Sequence, residues 1–520
     1  MAYVSGTTNS DLLNAADGIT FGDDDVYGGD GNDTIYGLGG NDNLFGEDGR
    51  DKLYGSIGND WLEGGKNHDD LFGGDNDDVL FGGAGDDELY GENDYDFLDG
   101  GAGADRLDGG DGIDWASYYY SDEGVRVSLN PFLLIGGNSG GDAEGDILAD
   151  IEYLVGSRHG DELYGNDQAN LVYGMEGNDV LVGDGGDDQL NGGAGDDVLD
   201  GGDGADYMIG GTGNDHYFVN HADDVVIEYA DEGLDTDNAR IDGDHVEYPE
   251  DEGIDTVNAR TDYTLGDNVE NLVLLAGGGG VSGTGNDGDN FIAGNELSNL
   301  LNGGGGVDIL MGAGRDDILD GGTGADWMLG GEGGDIFIVD DAGDVVTEHA
   351  GEGFDMVQTG VSYSLAAGSE VEVLYADPAT TTTISLTGNE FDNFLTGNDG
   401  INVLVGGLGI DILRGNGGGD AFLWSSVAEV GSSNPDIVTD YSSAQGDVLH
   451  FTGIDADETL ADDQNFTFRG TEAFTAAGQI NWFTNGTDTF LQFNTNADLN
   501  AEGIIQLNGV INGDAVLMFL

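Results

Sequence analysis

GGDGNDTIY, from Gly28 to Tyr36, is the first clean copy of a nine-residue unit whose repetition decides the fold. The unit returns as GGAGDDELY from Gly82 to Tyr90, and ten copies run from Gly28 to Ser117 without an insertion or deletion. Gly holds the first position throughout, at Gly28, Gly37, Gly46, Gly55, Gly64, Gly73, Gly82, Gly91, Gly100 and Gly109. Asp holds the sixth, at Asp33, Asp42, Asp51, Asp60, Asp69, Asp78, Asp87, Asp96, Asp105 and Asp114. The eighth is apolar: Ile35, Leu44, Leu53, Leu62, Leu71, Leu80, Leu89, Leu98, Leu107 and Ala116. A Gly/Asp-rich linker has no physical reason to keep an apolar residue at every ninth place, so the run is structured.

The chemistry of the unit follows from its positions. Positions one to four are expected to need positive φ, which Gly reaches without steric cost. Where the fourth Gly is lost, Asn67, Asn76 and Asp94 stand there, residue types that tolerate the left-handed region. Positions seven to nine read as a short strand with one buried side chain. A strand that short is unstable alone and must stack on copies of itself. The turn offers a carboxylate and several carbonyls, hard oxygen donors that suit Ca²⁺.

The unit matches G-G-x-G-x-D-x-U-x, so the chain resembles the RTX (repeats-in-toxin) calcium-binding family. The resemblance implies an all-β fold, a right-handed parallel β-roll in which two nonapeptides make one coil. It also implies multiple bound Ca²⁺, each joining the Asp at i to that at i+18, so that Asp33 pairs with Asp51 and Asp96 with Asp114.

Composition agrees with a chain that waits for cations. There are 105 acidic residues against 11 basic among 520, a formal net charge of −94. Such a chain repels nucleic acid and anionic membranes and attracts cations. Without them it is expected to stay expanded, and calcium binding becomes folding free energy. No Cys is present, so no disulfide framework is available. The start, MAYVSGTTNSDLLNAADG, has neither the basic nor the apolar stretch of a cleavable signal, and no apolar run is long enough to span a membrane. RTX relatives carry an export signal at the C-terminus and pass unfolded through the type I secretion machinery. The resemblance therefore implies a bacterial protein, secreted or held at the cell surface, that folds in the calcium outside.

Four arrays share the chain. Residues 1–27 are a degenerate lead-in, with Asp24 and Val26 already in register, and array one spans 28–117. A spacer, 118–155, precedes array two at 156–218, whose sixth positions are Asp161, Asn170, Asp179, Asp188, Asp197, Asp206 and Asp215. A spacer at 219–284 holds a local duplication, EGLDTDNARI from Glu232 and EGIDTVNART from Glu252. Array three, 285–338, carries Asn290, Asn299, Asp308, Asp317, Asp326 and Asp335. After a spacer at 339–387, array four, 388–423, carries Asn393, Asn402, Asp411 and Asp420. Asn supplies a neutral oxygen, so array one is expected to load first and array four to be marginal. Three spacers carry a similar motif upstream of the next array, at Ile151-Glu152-Tyr153-Leu154, Val269-Glu270-Asn271-Leu272 and Val371-Glu372-Val373-Leu374, read as strands that extend the stack.

Residues 424–520 leave the repeat. Thr439-Asp440-Tyr441-Ser442-Ser443-Ala444-Gln445-Gly446-Asp447, Gly453-Ile454-Asp455-Ala456 and the stretch from Ala473 to Phe483 resemble the C-terminal domain of serralysin-type metalloproteases. That resemblance implies a β cap that closes the roll and carries the secretion signal, and the end, Asp514 to Leu520, is similar to that family's terminus.

No enzyme is expected. The H-E-x-x-H motif of those proteases is missing, and the nearest His pair, His216 and His221, falls in a strand-turn region. The one G-x-S-x-G, Gly137 to Gly141, follows the apolar run Phe132 to Ile135 but precedes no helix-forming stretch. Asn494, Asn496, Asp498 and Asn500 alternate like an EF-hand loop, yet Ile505 stands where that loop needs Glu, so a polar turn is expected. Position nine faces outward, and Tyr36, Tyr54, Phe72 and Tyr90 fall on one face at coil spacing. That ladder offers either a polysaccharide-binding face or simple strand-to-strand support. The sequence thus reads as a non-enzymatic, calcium-binding surface or matrix protein acting in adhesion or polysaccharide binding. The alternative is an orphan carrier of an RTX-type protease or an alginate-epimerase-like enzyme.

Overall fold

In the computed structural model, residues 3–130, 137–228, 240–242, 245–247, 253–431, 434–451, 453–457, 464–496, 498–511, 516 and 518–519 are described. The run Phe132 to Ile135, the duplication copy from Glu232 to Asn238, Ala497 and most of Asp514 to Leu520 lie outside them. The described chain is all-β apart from two three-residue 3₁₀ turns, and it divides into Met1–Asn271 and Leu272–Leu520.

Each unit is a parallel β-solenoid whose strands come from successive nonapeptides. In the first, alternate nonapeptides feed opposite sheets. One sheet has 12 strands, among them Asn43–Asp48, Trp61–Lys66, Val79–Ala84 and Phe97–Ala102. The facing sheet has 7, among them Lys52–Ile57, Asp70–Asp75, Glu88–Asp94 and Arg106–Gly112. The pairing is one coil in register: Glu88 faces Arg106 and Leu89 faces Leu107. The spacer 118–155 extends one face and interrupts the other. Tyr153–Val155 pairs with Trp115–Ser117 and Leu171–Glu176, as expected of spacer strands. On the opposite face the 7-stranded sheet ends at Ile147–Ala149, and a new sheet begins at Arg126–Ser128 against Glu162–Asn166.

The second unit stacks likewise, as with Ile309–Gly314 on Trp327–Glu332 and Ile318–Asp320 on Ile336–Val339. Its spacer strands Val345–Thr347 and Met356–Thr359 pair in parallel with those repeats. The end changes character. Asp436–Val438 pairs in parallel with Gly503–Leu507, which continues antiparallel through Thr489–Asn494 to Gln479–Thr484. These strands make the expected C-terminal β cap.

The core is the column of eighth-position side chains. Ile35, Leu53, Leu71, Leu89 and Leu107 are fully buried, as are Val26, Leu44, Leu62, Leu80, Leu98 and Ala116. Stacked strands lie roughly 4.8 Å apart, so each apolar side chain packs on the same position of the next coil. Each such burial contributes about 1.5–3 kcal/mol.

The expectation of positive φ across positions one to four needs correction. Position two adopts it even without Gly, at Leu38 (77°), Ser56 (83°) and Ala313 (84°). Asn67, Asn76 and Asp94 adopt it at position four, as expected. No first-position Gly does. Its reason is space: a methyl group on Gly64 would come within 2.7 Å of both Asp69 Oδ2 and the Gly82 carbonyl oxygen.

Candidate calcium sites

The sixth-position Asp side chains form ladders along both edges of the first roll. Each accepts, through Oδ1, the backbone N–H of the Asp one coil earlier. Asp33 donates to Asp51 at 2.6 Å, Asp42 to Asp60 at 2.7 Å, and the series runs to Asp96 and Asp114 at 2.8 Å. All eight i, i+18 Asp pairs of array one are hydrogen-bonded this way. Asp161–Asp179–Asp197–Asp215 and Asp188–Asp206 repeat the pattern in array two, and Asp308–Asp326 and Asp317–Asp335 in array three.

The second carboxylate oxygen is what fits a metal. Oδ2 of Asp33, Asp42, Asp51, Asp60, Asp69, Asp78, Asp87, Asp96, Asp105 and Asp114 is buried with no hydrogen-bond partner. The same holds for Asp179, Asp188, Asp197, Asp206, Asp215, Asp308, Asp317, Asp326, Asp335, Asp411 and Asp420. Buried carboxylate oxygens without partners are strongly unfavourable. Each first-position Gly leaves room beside one of them, with a carbonyl oxygen of the next coil on the other side, as at Gly37 between Asp42 Oδ2 and Gly55 O. Oxygen-only donors of this kind fit Ca²⁺. With no cation beside them, burial pushes Asp69, Asp78, Asp105 and Asp197 up to about 8, against the lowering effect of the N–H each accepts, and neighbouring carboxylates add to the rise.

Asp161 differs from the other proposed ligands. Its Oδ2 accepts the N–H of Ser157 at 2.6 Å, so the turn closes on itself. Four turns with Asn at position two do the same to a sixth-position Asn, whereas Asn402, four residues after Asn398, keeps a buried Oδ1 without a partner. The N–H of Asn166 reaches Asn170 Oδ1 at 2.8 Å, and those of Asn286, Asn295 and Asn389 reach Asn290, Asn299 and Asn393.

The ladders run further than fixed spacing shows. Asp105 donates to Asp146 Oδ1 across 41 residues, Asp206 to Asp224, Asp215 to Asp255 across 40, and Asp335 to Asp355 across 20. Array four is not limited to Asn-containing pairs: Asp411 donates to Asp436 across 25 residues and Asp420 to Asp447 across 27. The Glu of each spacer motif joins a ladder as an acceptor. Glu152, Glu270 and Glu372 accept the N–H of Asp114, Asp255 and Asp355 at 3.0, 2.9 and 2.8 Å.

The remaining candidates fall outside these ladders. Tyr36, Tyr54, Phe72 and Tyr90 stack with centroids 4.8, 4.8 and 5.1 Å apart and planes within 7°. Their faces therefore cover one another, and Arg106 lies over Tyr90. What they show to solvent is edges and hydroxyls. A different groove, of about 700 Å³, is lined by Asn43, Asn59, Trp61, Tyr95, Phe97 and Trp115 among others. Ser139 of the G-x-S-x-G forms an antiparallel bridge with Arg126. His216 lies in a strand and His221 in the following turn, where its Nδ1 accepts the Asp223 N–H. In the EF-hand-like stretch, Asn496 and Asp498 accept N–H groups from residues two further on, which makes successive polar turns.

A family model described as the RTX calcium-binding nonapeptide repeat (4 copies) matches residues 20–53, 45–80, 54–89, 81–116, 155–190, 182–217, 284–314, 302–337, 311–346 and 387–422. These matches overlap the four arrays, the first beginning in the lead-in and one running on into the spacer after array three. No curated protein matches the chain significantly.

Proposed function

Because this chain carries RTX calcium-binding nonapeptide repeats in four arrays, we propose that it is a secreted, non-enzymatic bacterial protein that folds on calcium outside the cell and acts at the cell surface or in the matrix. The observation that carries this reading is the run of buried Asp Oδ2 atoms without partners. Their burial is compatible with a folded chain only when a cation or a proton compensates it, and millimolar calcium is the extracellular supply. The type I secretion machinery, engaged through the C-terminal region, is the proposed export route.

The proposed ligand is a polysaccharide, and the groove around Trp61 suits it better than the stacked ladder. Sugar rings pack on open aromatic faces, whereas the ladder's faces are occupied. Trp61 and Tyr95 are 39% and 58% exposed, and Asn59 and Asp77 flank them with hydrogen-bonding groups. The experiment is a polysaccharide panel and whole bacterial cells, with calcium and with chelator. Calcium-dependent retention supports the reading. Binding only to a separate catalytic chain favours the orphan-carrier alternative.

A further inference from the structure

We propose that the spacers following arrays two and three each build a cation site of three carboxylates, Asp215–Glu228–Asp255 and Asp335–Glu348–Asp355. Each takes one hard divalent ion such as Ca²⁺ and draws its Glu from a spacer strand or the residue after it, not from a nonapeptide. This rests on the calcium-dependent folding proposed above.

In each triad, one carboxylate oxygen from every residue lies within 4.8 Å of the other two. All six side chains are buried. Glu348 is 1% exposed, and its Oε2 has no partner. Its other oxygen accepts the Gly330 N–H at 3.0 Å, and its backbone N–H donates to Ser369 Oγ at 3.0 Å. Glu348 is thus fixed at its backbone and at one side-chain oxygen, and that Oε1 converges with the unpartnered Asp335 Oδ2 on the space beside Gly330. In the first triad, Asp215 Oδ2 and Asp255 Oδ2 are likewise unpartnered. Among the described residues, none of the six carboxylates forms an ion pair with Lys, Arg or His. Three buried carboxylates with no positive partner need a counter-charge, and an all-oxygen set selects a hard cation.

The sequence builds the site twice. Asp215 to Glu228 reads DHYFVNHADDVVIE, and Asp335 to Glu348 reads DIFIVDDAGDVVTE, so the Glu falls at the same distance from the ladder Asp. Both third ligands follow an Glu-Gly pair, in EGID at Asp255 and EGFD at Asp355. Besides the longer stretch from Asp215 to Asp255, one difference at the ligands separates the copies. The Tyr217 hydroxyl donates to Glu228 Oε1, while Phe337 stands at the matching position of the second copy. The first site therefore has one carboxylate oxygen engaged by a phenol that the second lacks, and the second holds its ion more tightly.

The test is crystallography of the full chain grown with calcium, then with terbium in its place, read by anomalous density. The expected result is a peak inside each triad in addition to peaks along the Asp ladders, with the Asp335–Glu348–Asp355 peak filling first when terbium is limiting. Glu348→Gln should lose that peak and keep the one at Asp308–Asp326. Tyr217→Phe should bring the first triad to the occupancy of the second. Ladder peaks with both triads empty overturn the proposal, since the carboxylates then share protons instead. No peaks anywhere overturn the calcium reading itself. If Glu348→Gln does not fold, the unsubstituted crystal still decides.

Discussion

Asp96 donates its backbone N–H to Oδ1 of Asp114 at 2.8 Å, and Oδ2 of Asp114 is left buried without a partner. One carboxylate thus has two tasks: one oxygen ties a coil to the preceding one, and the other awaits a cation. Substitutions can separate the two.

At Asp69, whose Oδ1 accepts the Asp51 N–H at 2.7 Å, Asn keeps an acceptor for the amide and removes the charge. Ala removes both and strands a buried N–H, at about 1–3 kcal/mol. In saturating calcium, Asp69→Ala is expected to melt lower than Asp69→Asn, while both bind fewer ions. Equal melting temperatures would show that the amide bond contributes nothing.

Gly64→Ala places a methyl group where the Asp69 oxygen and the Gly82 carbonyl converge. The calcium concentration needed for folding is expected to rise severalfold, read by circular dichroism during a calcium titration. At position two the effect reverses. Leu38 holds a φ of 77°, so Leu38→Gly is expected to stabilise the roll by about 1 kcal/mol.

Leu71 is fully buried between Leu53 and Leu89. Leu71→Ala is expected to cost about 2–5 kcal/mol. Because each coil contacts only its neighbours, hydrogen exchange should quicken around Leu53 and Leu89 and stay unchanged far along the stack.

Burial raises the ladder carboxyls, Asp69 and Asp78 to about 8 and Asp51 to about 6. A carboxyl raised on folding penalises the fold above its folded value and ceases to do so below its unfolded value, about 3.9. Calcium-free protein is therefore expected to gain β structure as pH falls from about 8 towards 5, with protons standing in for the metal. A calcium-free spectrum that stays disordered throughout that window would contradict this.

Tyr54→Ala opens a gap in a stack and is expected to cost about 0.5–1.5 kcal/mol with polysaccharide retention intact. Trp61→Ala should abolish retention and leave calcium stoichiometry unchanged. The reverse pattern would return the ligand to the ladder.

The roll and its Asp ladders were legible because one strand, one turn and one spacing repeat without interruption from Gly28 to Ser117. Residues that join a ladder across an inserted loop were not. Asp146, Asp255, Asp436 and Asp447 sit 41, 40, 25 and 27 residues from their partners, and no fixed period finds them. Glu152, Glu270 and Glu372 were visible as a recurring motif, but their role as ladder acceptors needs the third dimension. The closure of Asp161 by Ser157 left only part of a signal, because Ser56, Asn398 and Asn416 also replace Gly at position two and leave Asp60 Oδ2, Asn402 Oδ1 and Asp420 Oδ2 without partners. Where Ser157, Asn166, Asn286, Asn295 or Asn389 replaces Gly at position two, the turn's own amide fills the oxygen that a metal would take.

The ladder bond also gives the array a grain. The donor always belongs to the earlier coil and the acceptor to the later one, as from Asp33 through Asp51 to Asp69. In this side-chain ladder the amide of a coil is satisfied by its successor, whereas the backbone bonds run both ways, from Lys52 back to Asp33 O and from Gly37 on to Tyr54 O. Cutting the roll from its front strips the side-chain ladder of donors and leaves carboxylates that water can solvate. Cutting it from the back strands amides inside a turn. The two ends are therefore unequal, and a chain delivered tail first would offer every arriving coil a finished template, while one delivered head first would leave each coil waiting for the next.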